Sequence, residues 1–147
     1  LEWGVDTVSA VTPYQRTVAQ AVTASGQVDL IVGHQAHVLQ PIGNVNGVWV
    51  IYGLGNFISD LPGATWPAAA QDAVVAAVDF TVAADGSVSV SRPVVYPTWI
   101  DKQNGHVVRL TSEADDPTLS AAVREALRQS EERTRSVMGE FFAPGVG

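Results

Sequence analysis

The chain has 147 residues, 46% of them hydrophobic, and a formal net charge of −7 from 15 acidic and 8 basic residues. That length supports one core of ordinary size, so one domain or a piece of one is expected. The acidic balance repels polyanions, and the densest charge, over residues 124–135, mixes both signs, leaving no basic patch for nucleic acid. With no cysteine, disulfides and thiolate chemistry are excluded.

The chain opens Leu1-Glu2-Trp3-Gly4, which is neither Met nor any region of a signal peptide, so further residues are expected upstream. Thr12-Pro13-Tyr14-Gln15 predicts a helix start with a capping box and proline at the first helical position. Val18, Ala19 and Val22 then recur on one face, and Gly26 is suited to stop the helix. Residues 28–32 form a β-branched run of the kind buried on both faces of a sheet, ending at Gly33. Residues 41–51 read as a hairpin around Asn46-Gly47. A polar, proline-containing loop over residues 60–71 follows.

Residues 73–83 alternate Val74, Ala76, Val78, Phe80 and Val82 along one face; interrupted by Asp79, this stretch is also too short to span a bilayer. Asp85-Gly86 turns it into a half-exposed strand over residues 87–96, which Pro93 and Pro97 confine to an edge or an exit. A short strand is expected within residues 105–111. Asp116-Pro117 predicts the start of an amphipathic helix carrying Leu119, Val123, Ala126, Leu127, Thr134 and Val137 inward, with Arg128/Glu132 and Glu131/Arg135 at i,i+4 on its outer face. Domain organisation is expected to be one unit over residues 1–139, with residues 140–147 a loose tail.

Gly33-His34-Gln35-Ala36-His37 places two imidazoles three positions apart on a glycine-started turn, beyond a buried strand where α/β sheets place ligands. Such a turn lets two rings converge on one cation, and imidazole suits Zn, Mn and Fe. A polar loop with surface or core-bonded histidines fits the same pattern. Asn56, in Gly53-Leu54-Gly55-Asn56, either positions a substrate or ligand side chain or satisfies unusual backbone angles. Asp6 suits a hydrogen-bond acceptor behind a ligand. His106, without a partner nearby in sequence, reads as structural or exposed. Trp49 reads as core, and Trp66, in a Gly/Pro loop, stays open between core and a stacking surface. No GxSxG or Walker-type loop is present.

The succession of Leu1-Glu2-Trp3-Gly4, the Pro13/Gln15 helix, Asp29-Leu30-Ile31-Val32-Gly33-His34-Gln35-Ala36-His37-Val38-Leu39-Gln40-Pro41 and Tyr52-Gly53-Leu54-Gly55-Asn56-Phe57 resembles the CapA, or PGA_cap, family of bacterial capsule-synthesis proteins over about the first sixty residues. The resemblance implies an α/β (α+β) fold, the C-terminal portion of a two-sheet metallophosphoesterase-like sandwich flanked by helices. It also implies that His34 and His37 are ligands of a divalent metal (Mn, Fe or Zn, two ions in the full-length protein), completed by upstream ligands. Glu2 stands where the family commonly has His before Trp-Gly, and so is either a substitute carboxylate ligand or a mark of a lost metal; Gln35-Ala36 replaces the usual His-Pro.

By the same resemblance Asn56 is a catalytic positioning group, the substrate an anionic polymer or phosphoester, the partners other capsule-synthesis subunits, and the location the cell envelope or extracellular face of a bacterium. A metal-dependent hydrolase and a non-catalytic subunit for polymer synthesis or export both fit. An independent sugar- or peptide-binding module is a third reading; half of a two-sheet sandwich would leave an apolar face uncovered.

Overall fold

A computed structural model describes residues 1–143 of the chain. Helix α1, Pro13–Ala24, starts where the capping box predicts. The Thr12 side chain accepts from the Gln15 backbone N–H, the Gln15 side chain accepts from the Thr12 backbone N–H, and Gly26 ends the turn at φ +67°. Strand β1, Leu30–Val32, pairs parallel with β3, Val48–Leu54, and β2, Leu39–Val45, pairs antiparallel with the same strand, giving the order β1-β3-β2. Asn46 (φ +52°) and Gly47 (φ +85°) make the tight turn between β2 and β3.

This first sheet is buried on both faces, because adjacent residues of β1 and β3 point opposite ways. Ile31, Val50 and Tyr52 face α1 with Trp3 and Ala19, whereas Val32 and Ile51 face a second cluster containing Leu39, Ile42, Val74, Val95 and Met138.

The second sheet has the order β4-β7-β8, from β4 (Asp72–Ala77), β7 (Val94–Asp101) and β8 (Val107–Leu110). A bridge between Gly55 and Ala73 stitches the end of β3 to β4. Two expected long strands are broken instead. Residues 78–79 interrupt the first and residues 91–93 the second, so that β5 (Phe80–Val82) and β6 (Val88–Val90) form a separate ribbon in which Phe80 and Val82 are exposed. Their alternation was therefore no core face.

Pro97 does not end a strand: it lies inside β7, opposite Val74, and pairing to β8 begins only at Thr98 with Leu110. At the proline β7 has a neighbour on one side only, which accommodates the missing N–H.

Helix α2, Ala121–Met138, begins later than the Asp116-Pro117 signal suggested. Ser120 is the cap, and Asp116 instead accepts from the backbone and hydroxyl of Thr118 in a preceding turn. Its buried face carries Val123, Leu127, Ser130, Thr134 and Met138. Glu131 and Arg135 pair at 2.8 Å as expected, but Arg128 pairs with Asp115 and Glu125 rather than Glu132.

The tail is not loose through residue 143. Phe141 packs edge-on against Trp49, Phe142 bridges Val95, and Ala143 is buried with its N–H on the Val95 carbonyl. Residues 144–147 of the expected tail lie outside the described residues. Among the described residues no helix is long and apolar enough to cross a membrane. The whole is mixed α/β, two helices on small sheets.

Candidate functional site

The site is built around the loop that leaves β1. Residues 1–4 run beside the continuation of that strand: the Leu1 backbone nitrogen donates to the Val32 carbonyl, the His34 N–H to the Leu1 carbonyl, and the Gly4 N–H to the His34 carbonyl. Glu2 and His34 are thereby partners in a parallel bridge, which sets their side chains on the same face of the sheet edge. Trp3 alternates to the opposite side, stacks on Tyr52 at 5.3 Å and donates its indole N–H to the Tyr52 carbonyl at 3.0 Å. The indole crosses directly over Gly33, where a Cβ would collide with the Trp3 ring nitrogen and the Tyr52 carbonyl. Gly33 thus permits the close approach that delivers His34 beside Glu2.

Beyond Gly33 the backbone is unusual. Gln35 (φ +93°) and His37 (φ +57°) both occupy left-handed conformations that non-glycine residues rarely adopt. Ala36 between them is buried against Gly4, and its carbonyl accepts from the Thr7 N–H. The loop is held from the inside, with His34 exposed and His37 half-buried.

His37 has one nitrogen committed. Its Nδ1 lies 3.0 Å from Asn56 Oδ1, and Asn56 Nδ2 donates to the carbonyls of His37 (3.1 Å) and Ala70 (2.9 Å). Those two carbonyls can only accept, so the amide orientation is fixed, and the Asn56 oxygen must accept a proton carried on Nδ1. Nε2 of a neutral His37 therefore keeps its lone pair, as a ring serving as a metal ligand requires. Trp66 packs nearly perpendicular to the imidazole, centroids 5.2 Å apart and planes at 74°.

His34 is exposed and its ring makes no hydrogen bond to the described residues. With Leu54, Gly55, Asn56, Phe57, Ile58 and Val74 it lines an open cleft of about 500 Å³. His37 is outside that lining and reaches it through Asn56. The structure thus brings together Glu2 with His34, and His37 with Asn56. It does not gather Glu2, His34 and His37 into one group: among the described residues no cluster of three or more His, Asp or Glu is arranged around a common point. Asp6 touches Gln35 (3.4 Å) rather than a histidine.

Several residues that shape the site carry no local sequence signal. Asp60 pairs with His106 at 2.9 Å, and Lys102 Nζ donates to the Leu61 carbonyl, both tying residues 57–67 to the segment between β7 and β8. Buried Asp72, whose carbonyl closes against Gly55 so that only glycine fits there, is held by Arg133 (2.6 and 2.8 Å) and Ser130 (2.7 Å) of α2. Hydrogen bonding to Asp72 raises the Arg133 pKa above its ordinary value. Tyr52 has its pKa raised by burial, offset in part by the charge of Arg16.

The histidine-bearing strand-end turn and the glycine turn whose asparagine clamps it both lie within the part of the chain that has recognisable relatives. Residues 1–61 match the family model described as "Bacterial capsule synthesis protein PGA_cap". The chain is 43% identical over 58 residues to "PGA biosynthesis protein CapA" of Bacillus subtilis (strain 168), a match covering 40% of this chain and 15% of that relative. No solved structure gives a significant match.

Proposed function

We propose that the chain is part of a capsule or poly-γ-glutamate biosynthesis protein with a metal-dependent, phosphoesterase-like hydrolase site at the bacterial cell envelope. The process follows from the family of residues 1–61 and the name of the Bacillus relative. The site reading is carried by one observation: the hydrogen bond by which Asn56 of the second motif holds His37 of the first, with Nε2 left open.

The donor set fits a divalent ion in part. His34 and His37 would hold it through neutral imidazole, and Glu2 beside His34 would add a carboxylate; imidazole with carboxylate suits Mn, Fe or Zn. When bound, such an ion supplies Lewis-acid polarisation of a phosphoryl oxygen and makes water acidic enough to act near neutral pH. Asn56 orients His37 and shares with His34 the wall of the cleft that would receive an anionic polymer or phosphoester. Other capsule-synthesis subunits are the expected partners.

A second reading, a non-catalytic subunit supporting synthesis or export, is favoured by the incomplete grouping of acidic and imidazole side chains among the described residues. Metal analysis and capsule complementation separate the two. Stoichiometric Mn, Fe or Zn lost in His34→Ala, together with lost capsule production, supports the hydrolase. Metal-free protein that still complements supports the subunit.

A further inference from the structure

We infer that Trp66 is a positioning residue for His37, set in place by a strap over residues 57–67 whose two ties come from the segment between β7 and β8. Asn56 sets the tautomer of the imidazole, but a single hydrogen bond leaves the ring free to rock about the axis of that bond. Trp66, standing edge-on at 5.2 Å, closes that freedom.

Trp66 lies in a stretch with no strand or α-helix of its own, so something else must hold it. Two ties fasten that stretch just before Trp66: the Asp60–His106 pair (2.9 Å), between residues 46 apart, and the Lys102 ammonium on the Leu61 carbonyl, between residues 41 apart. His106 is itself in a left-handed conformation (φ +59°), which non-glycine residues rarely adopt. Trp66, Lys102 and His106 all lie beyond residue 61, where the family match ends. The device therefore couples the second half of the chain to a histidine of the first.

The inference rests on the proposed role of His37 as a ligand only for its consequence, not for the contact. Long-range proton–nitrogen spectra of the 15N-labelled chain report which imidazole nitrogen carries the proton. The wild type is expected to show His37 as a single Nδ1–H tautomer. Trp66→Ala is expected to shift and broaden the His37 nitrogen signals with the proton still on Nδ1, Trp66→Phe to restore most of the wild-type signal, and His106→Ala to move it in the same direction as Trp66→Ala by a smaller amount. Calorimetric titration with Zn²⁺ is expected to show affinity weakened about 10-fold in Trp66→Ala, the scale of losing a group that orients a ligand. His37 nitrogen shifts unchanged in Trp66→Ala would overturn the inference. A wild type that takes up no Zn²⁺ while His37 still responds to Trp66→Ala would sink the metal reading and leave the positioning role standing.

Discussion

Asn56 uses both amide hydrogens on backbone carbonyls and its oxygen on His37, so its side chain organises three groups at once. Asn56→Ala leaves the His37 and Ala70 carbonyls without this donor, and a loss of about 1–3 kcal/mol is expected from urea denaturation. Asn56→Asp should cost more, because it replaces the donor with an acceptor facing two carbonyls. At this scale the sequence was informative wherever chemistry is local. Gly33-His34-Gln35-Ala36-His37 announced a glycine-started turn bearing two imidazoles, and Asn56 was marked out by its glycine neighbours. Trp66 on His37 and Asp60 on His106 were not legible, because contacts over 29 and 46 residues leave no periodic trace.

Among the elements, the edge formed by residues 1–4 depends on Gly33. Gly33→Ala drives a methyl into the Trp3 indole and the Tyr52 carbonyl, and a lower melting temperature with exposure of Trp3, read by fluorescence, is expected. Tyr52, beneath Trp3, ties this edge to pH. Its folded-state pKa lies above the ordinary value of about 10 because burial disfavours the phenolate. Its contribution is therefore complete below about pH 10 and is lost as pH rises towards the higher folded value. Denaturation midpoints followed from pH 8 to 11 should fall less in Tyr52→Phe than in the wild type.

The β2–β3 hairpin was readable because Asn46-Gly47 dictates its own backbone angles. The β4–β5 break was not, since alternation over residues 73–83 is the same whether one sheet continues or a ribbon departs. Nor does local pattern account for Gln40, which is buried, donating to the Val8 and Ala10 carbonyls and accepting from Gln15.

For the molecule as a whole, the Asp72–Arg133 pair joins the second sheet to α2 at the point where Gly55 stitches the first sheet to it. Asp72→Ala removes the buried partner of a two-point guanidinium contact and the acceptor of Ser130, and about 3 kcal/mol of stability is expected to be lost. The cleft containing His34 and Asn56 would loosen with it, because Asp72 and Ala73 form its support. Phe57, Ile58 and Val75 are exposed beside that cleft.

On the proposed reading, the His34–His37 turn presents an imidazole whose free nitrogen, chosen by Asn56, is available to a metal. The most direct measurement is the nitrogen spectrum of His37 during addition of Zn²⁺ to the chain. A proton retained on Nδ1 with a saturable shift at Nε2, abolished in His34→Ala, is the result expected. A proton resident on Nε2, or an Nε2 signal indifferent to the ion, would contradict it.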